Sequence, residues 1–206
     1  MATFQISALG EYVHPWLNKP DTKFNADGLY HTDFDASGPE AEAEAERIEA
    51  AAKAHLQKYV QDQKFTPGVA KKWSVYLPFE RLEDDEGNPT GVIRFSFKQN
   101  AKIKSAKAPG GVKEVKIELR DSQDQPMDDA VWNGSEGRVM YSMRGIEMVS
   151  SQKAGVRLDL AKAQITKLAS GSSGGGFGSV EGGFVSSGKA ADPEPDGTTE
   201  EEEQGY

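Results

Sequence analysis

The sequence predicts a mainly β fold: a five-stranded OB-type barrel with one prominent α-helix and a disordered acidic C-terminal tail. Three observations carry this. Short alternating or β-branched segments recur between turn signals over the first 169 residues. A single long stretch has helical spacing. From residue 170 the composition changes abruptly to Gly and Ser, then to acid. Several short strands broken by one helix suggest a small barrel, and a five-stranded OB barrel is the economical choice.

The strand expectations are 28–34 (GLYHTDF), 73–79 (WSVYLPF), 91–98 (GVIRFSFK), 111–120 (GVKEVKIELR), 137–143 (GRVMYSM) and 154–168 (AGVRLDLAKAQITKL). Turns are expected at 85–89 (DEGNP), 109–111 (PGG), 124–126 (DQP) and Asn133-Gly134. The helix is expected over 39–63, with Ser37 and Glu40 as a capping box and Pro39 in the first turn. Ile48, Ala52, His55, Leu56 and Tyr59 share one of its faces, acids crowd its start and lysines its end. The organisation that follows is a folded domain over 1–169, a Gly/Ser-rich linker over 170–188 and an acidic tail over 189–206.

Composition narrows the chemistry. The 206 residues contain no cysteine, which excludes disulfides, thiolate metal sites and cysteine nucleophiles. His14, His31 and His55 are too scattered to form a metal motif, and neither a metal nor a cofactor is expected. No apolar run reaches the roughly 18 residues of a membrane span, and no basic-then-apolar leader opens the sequence, so a cytoplasmic protein is expected. The Lys-x-Asp-Gly motif of nucleotidyl transferases has Asn25 in place of its lysine in Asn25-Ala26-Asp27-Gly28. Gly174–Ser179 follows a linker and not a strand, so it is not a phosphate loop, and Asp84-Asp85 reads as a solvated turn. The expectation is a protein without enzymatic activity.

The net charge of -9 is unevenly distributed. Residues 170–206 hold eight acids and one lysine, leaving 25 acids against 23 bases in the first 169 residues. Within that near-neutral body, residues 92–120 carry eight bases and two acids. Arg94, Lys98, Lys102, Lys104, Lys107, Lys113, Lys116 and Arg120 form this local positive field. The pattern reads as a hairpin of two alternating strands joined by a Lys-rich loop with a Pro-Gly-Gly tip. Phe95 and Phe97 alternate with Arg94, Ser96 and Lys98, which directs the aromatics inward and the bases outward.

A basic barrel face suits a single nucleic-acid strand, whose phosphates attract Lys and Arg and whose unpaired bases stack on exposed aromatics. Trp16, Tyr30, Trp73, Tyr76, Trp132 and Tyr141 are the stacking candidates. The tail supplies a competitor. The roughly 30 residues between the folded domain and the glutamates reach about 30 Å, so Glu200, Glu201, Glu202 and Glu203 can return to the basic face at about millimolar effective concentration. Tyr206 adds an apolar anchor for docking on other proteins. The alternative is an acidic interaction protein or DNA mimic that inhibits a host nucleic-acid enzyme.

The segments 6–21 (ISALGEYVHPWLNKPD), 28–34, 91–98, 117–129 (IELRDSQDQPMDD), 133–143 (NGSEGRVMYSM) and 154–168, followed by a Gly-rich linker and an acidic tail closed by an aromatic, resemble the single-stranded DNA-binding replication proteins of podophages related to bacteriophage T7. The resemblance implies an OB-fold homodimer that coats single-stranded DNA and promotes annealing in the cytoplasm of the infected bacterial host. It also implies that the tail contacts the phage DNA polymerase and the helicase-primase. Position by position it places Arg94, Lys98, Lys102, Lys104, Lys107, Lys113, Lys116, Arg138 and Tyr141 on the DNA-binding face. The sequence departs from the family in ending on Tyr206 where a phenylalanine is usual, and in having Met140 where a base is expected.

Overall fold

Residues 3–23 and 25–169 are described in a computed structural model of the chain. The expected linker and tail, with Glu200 to Glu203 and Tyr206, lie outside the described residues. Among these residues the order is β1 (Phe4–Ile6), β2 (Gly10–Asp21), β3 (Leu29–Ser37), α1 (Pro39–Asp62), α2 (Pro67–Ala70), β4 (Ser74–Tyr76), β5 (Phe79–Glu83), β6 (Pro89–Asn100), β7 (Lys102–Lys104), β8 (Val112–Glu114), β9 (Glu118–Arg120), β10 (Glu136–Met148) and β11 (Lys153–Lys167).

Five strands close a ring. β2 pairs antiparallel with β3, and β3 with β6; β6 runs parallel to β11, β11 returns antiparallel to β10, and β10 meets β2 again. β1, β4, β5 and β9 extend this ring along β10, β11, β6 and β11. The result is the expected OB-like barrel. Its closure depends on two glycines, Gly10 and Gly137, which face each other across β2 and β10. A Cβ on Gly137 would sit 1.8 Å from the Gln164 carbonyl oxygen, and one on Gly10 would sit 2.4 Å from that of Asp35. The backbones approach too closely for any side chain.

Alternation fills the interior. Tyr30, Thr32, Phe34 and Ala36 of β3, and Ile93, Phe95 and Phe97 of β6, are all buried, as the alternation of β6 predicts. The Phe34 ring meets Tyr12 edge-on at 5.0 Å and Phe97 at 5.9 Å. Burying each such Phe contributes about 1.5–3 kcal/mol. The Tyr12 hydroxyl is inside this core but donates to the Arg138 carbonyl at 2.7 Å, so no buried polar group is stranded there.

α1 matches the expected span to within a residue. Its buried stripe is Ala41, Ala45, Ile48 and Ala52, with His55, Leu56 and Tyr59 half-buried below. Small alanines let it lie close to β11, β4, β3, β10 and β6. Its cap differs from expectation: Ser37 ends β3, and Gly38 at φ 85° precedes Pro39 with no side-chain cap hydrogen bond. The last turn contains no base; Lys58 instead pairs back with Asp62. His55 Nε2 donates to the Glu147 carboxylate at 2.6 Å, a helix-face contact as expected.

Three strand expectations change. Residues 73–79 split at Pro78 into β4 and β5, because the β4 stretch pairs with β11 and the β5 stretch with β6. Residues 111–120 split into β8 and β9 for the same reason. β8 pairs only with β7, and β9 joins β11. The predicted hairpin of β6 with the strand after it does not form, since both edges of β6 are occupied by β3, β5 and β11. The Lys-rich segment is instead its own two-stranded hairpin.

Candidate nucleic-acid interface

β7 and β8 pair through Lys102 with Glu114, Ile103 with Lys113, and Lys104 with Val112. Gly110 and Gly111, both at φ 74°, turn the chain at the tip, a conformation that L side chains avoid. Two backbone bonds fix the base of the hairpin to the barrel: Ala101 N–H donates to the Gly28 carbonyl at 2.9 Å, and Val115 N–H to the Ala101 carbonyl at 2.7 Å. Between the hairpin and the outer faces of β6, β11 and β10 lies a groove of about 820 Å³. Lys102, Lys104 and Lys113 line its hairpin wall, and Gln99, Asn100, Arg144, Arg157 and Asp159 line its barrel wall, with Phe4 at the margin.

The cations in this groove differ in how they are compensated. Lys104 and Lys113 are exposed and have no acidic partner among the described residues; Lys102 lies 3.7 Å from Asp27. Arg144 and Arg157 share one carboxylate, with their Nε atoms 2.7 and 2.6 Å from Asp159. The Asp159 hydrogen bond holds the Arg144 guanidinium above its usual pKa. Arg157 also donates to Asn100 Oδ1 at 3.4 Å. Three charged groups therefore leave one net positive charge, held in ordered positions.

A smaller hollow of about 290 Å³ lies further along the outer face of β10 and β11, lined by Ile6, Arg120, Arg138, Met140, Lys162 and Gln164. Glu118 accepts from Lys162 at 2.7 Å and from Arg120, and these bonds hold its carboxyl below the usual range. Arg138 is half-buried, 3.7 Å from Glu40 and bonded to the Ser7 carbonyl.

The sequence-predicted site residues therefore separate. Lys102, Lys104 and Lys113 meet in the groove. Lys98 faces outward on the adjoining end of β6, opposite His31 on one side and Asp159 on the other. Lys107 is exposed in the hairpin loop, and Lys116 is exposed beside a separate hollow with Leu17, Asn18 and Tyr30. Arg94 points outward as expected but is bidentate to Asp35, at 2.7 Å through both Nε and Nη2. It lines a different hollow with Asp33, Tyr76 and Glu80. Tyr141 requires a correction. It is fully buried, its ring lies 5.1 Å from Phe97, and its hydroxyl bonds Gln5 Oε1, so it is a core residue and cannot stack on a base in this conformation. Position 141 takes the inward side of β10 between the outward Met140 and Ser142.

Arg144, Arg157, Lys162 and Phe4 were not anticipated. The signal existed for the first two: Arg138, Met140, Ser142 and Arg144 alternate outward on β10, and Arg157 alternates with buried Val156 and Leu158. Among the described residues no group of three His, Asp or Glu side chains is arranged to hold a metal. Asp84 instead accepts backbone N–H bonds from Glu86 and Asn88, which builds the turn. No helix among the described residues is long and apolar enough to cross a membrane.

No protein-family model and no curated protein sequence matches the chain. Solved structures do. Its fold is similar to the crystal structure of gp2.5, a single-stranded DNA-binding protein encoded by bacteriophage T7, at TM-score 0.70 and 23% identity, over 82% of this chain and 93% of that one. It is also similar to the single-stranded DNA-binding protein of bacteriophage Enc34 as a C-terminal truncation, at TM-score 0.55 and 10% identity, over 81% and 87% of the two chains. The same Enc34 protein in complex with single-stranded DNA matches at TM-score 0.52 and 12% identity, over 81% and 88%. The chain shares the fold of these phage single-stranded DNA-binding proteins.

Proposed function

We propose that this chain is a non-catalytic single-stranded DNA-binding protein of a phage replisome, working in the cytoplasm of the infected host. The observation that carries the reading is the groove, where the uncompensated Lys104 and Lys113 face the Arg144–Arg157 pair across a gap open to solvent. A flexible strand of phosphates is the ligand such a gap suits, and the contacts read charge without reading sequence. The likeness to the Enc34 protein, solved with single-stranded DNA, supports the same ligand class.

In this reading Lys98, Lys102, Lys104, Lys113, Arg144 and Arg157 form the main contact surface, and Lys107, Lys116 and Arg138 extend it. Arg94, held by Asp35, contributes less. Residues 189–206 compete with weakly bound nucleic acid for the basic face and, once displaced, dock the phage DNA polymerase and the helicase-primase through Glu200 to Glu203 and Tyr206. Pairing of two copies and promotion of strand annealing complete the proposal.

The test is a titration of fluorescein-labelled oligo-dT with the full chain and with a truncation ending at Gly188, over a salt series. Both proteins should bind, the truncation more tightly, with log affinity falling linearly in log salt. A full chain and a truncation that both fail to bind at low salt would refute the DNA-binding reading, and equal affinities would refute the competing tail.

A further inference from the structure

The strand registers extend the groove beyond the residues that line it. Phe4 on β1 opposes Ser142 on β10, and Ser142 opposes Asp159 on β11. Asp159 opposes Lys98 on β6, Lys98 opposes His31 on β3, and His31 opposes Trp16 on β2. These six positions make a single row across the strands. Five steps of about 4.8 Å give it a length of about 24 Å, room for no more than about seven nucleotides at 3.4 Å each. An exposed aromatic stands at each end, Phe4 at 56% and Trp16 at 38%. Between them lie Lys98, without an acidic partner among the described residues, and the two arginines on Asp159.

Trp16 is built as a shelf. Its ring stacks on His31 with centroids 6.3 Å apart and planes 27° apart. His31 Nε2 is in turn 3.5 Å from Asp21 Oδ2, which fixes the imidazole. Lys19 Nζ lies 6.0 Å from the Trp16 ring centroid, at the distance where a phosphate following a stacked base would meet it. The other tryptophans lack this setting. Trp73 is packed against Phe65 and Tyr59, at 5.6 and 4.8 Å. Trp132 is more exposed, at 48%, but lies outside the row.

We propose that the bound single strand crosses the barrel strands along this row, with Trp16 supported by His31 as the base-stacking platform at the end remote from Phe4. The proposal rests on the single-stranded DNA reading and adds a direction and an anchor to it. Stacking on Trp16 involves no phosphate, so its loss changes affinity without changing the number of ions released.

The experiment uses the full chain and oligo-dT. Trp16→Ala should weaken binding about 5- to 150-fold, the equivalent of one stacked base, with an unaltered slope of log affinity against log salt. Trp132→Ala should stay within about twofold of wild type. As a second readout, the Trp73→Phe/Trp132→Phe protein should retain quenching of tryptophan emission on binding, and Trp16→Phe should lose most of it. Wild-type affinity in Trp16→Ala, or a Trp73→Phe/Trp132→Phe protein that binds without quenching, would overturn the platform while leaving DNA binding intact. A wild-type chain that does not bind oligo-dT would overturn the underlying reading as well.

Discussion

Arg94 and the hairpin lysines look alike in the sequence, yet the fold treats them in opposite ways. Both belong to the same basic stretch and both point outward. Arg94 stands directly across from Asp35 on β3, and the two form a bidentate ion pair. Ser96, two residues on, meets Asp33 in the same manner, its hydroxyl 2.6 Å from Oδ1. Lys104 and Lys113 sit on a hairpin whose strands, among the described residues, pair only with each other, and the residues directly opposite them are the apolar Val112 and Ile103. An outward cation is available to a ligand only if its cross-strand neighbour leaves it so.

The largest effect should come from reversing the free charges. Lys104→Glu/Lys113→Glu should weaken oligo-dT binding at least about 30-fold, and should flatten the salt slope by about 1.4, the equivalent of two phosphates on a single strand. A titration over a salt series checks both numbers. Next comes the release of the restrained charge. Asp35→Asn should tighten binding about threefold and steepen the slope by no more than about 0.7; no change in either would mean that position alone, and not compensation, separates the two regions.

Arg94→Ala is a smaller perturbation. It should alter affinity by less than about twofold and lower stability by about 1 kcal/mol or less in a urea melt, since the pair is partly exposed. Glu44 extends the comparison to a charge that is neither free nor paired. It is 2% exposed, accepts the Ala8 N–H at 2.7 Å and leaves Oε1 without a hydrogen-bond partner among the described residues, and burial raises its carboxyl above the ordinary 4.5. A raised folded value means that its stabilising contribution is full below pH 4.5 and is lost as pH rises through the folded value. Wild type should therefore lose stability relative to Glu44→Gln over that window, and the gap should close in acid. Paired urea melts from pH 3.5 to 7 would show it.

Much of the barrel was legible because its signal is local. The inward Phe95 and Phe97, the single helix and the turn positions follow from alternation, spacing and Gly/Pro chemistry. β1 and β2 were not anticipated as strands. Gly10–Asp21 contains Pro15 and Pro20 and bends with register breaks after Val13 and Trp16, so its alternation is interrupted. The site was half legible. Lys102, Lys104 and Lys113 stood out through their density, whereas Arg144 and Arg157 become a pair only through the β10–β11 register, which sequence spacing does not contain. Tyr141 shows the opposite limit: an aromatic between outward neighbours faces inward, whatever family position it occupies.

The shared carboxylate of Arg144 and Arg157 bears on how binding would be counted. A salt titration registers the ions a protein and a polyanion shed when they meet. The arginine pair already has Asp159 as an internal counterion, and the trio presents one unit of charge where the residues suggest two. A slope measured on this protein would thus tally the lysines and under-report the arginines, so the contact number it returns is a lower bound on the side chains that touch the strand.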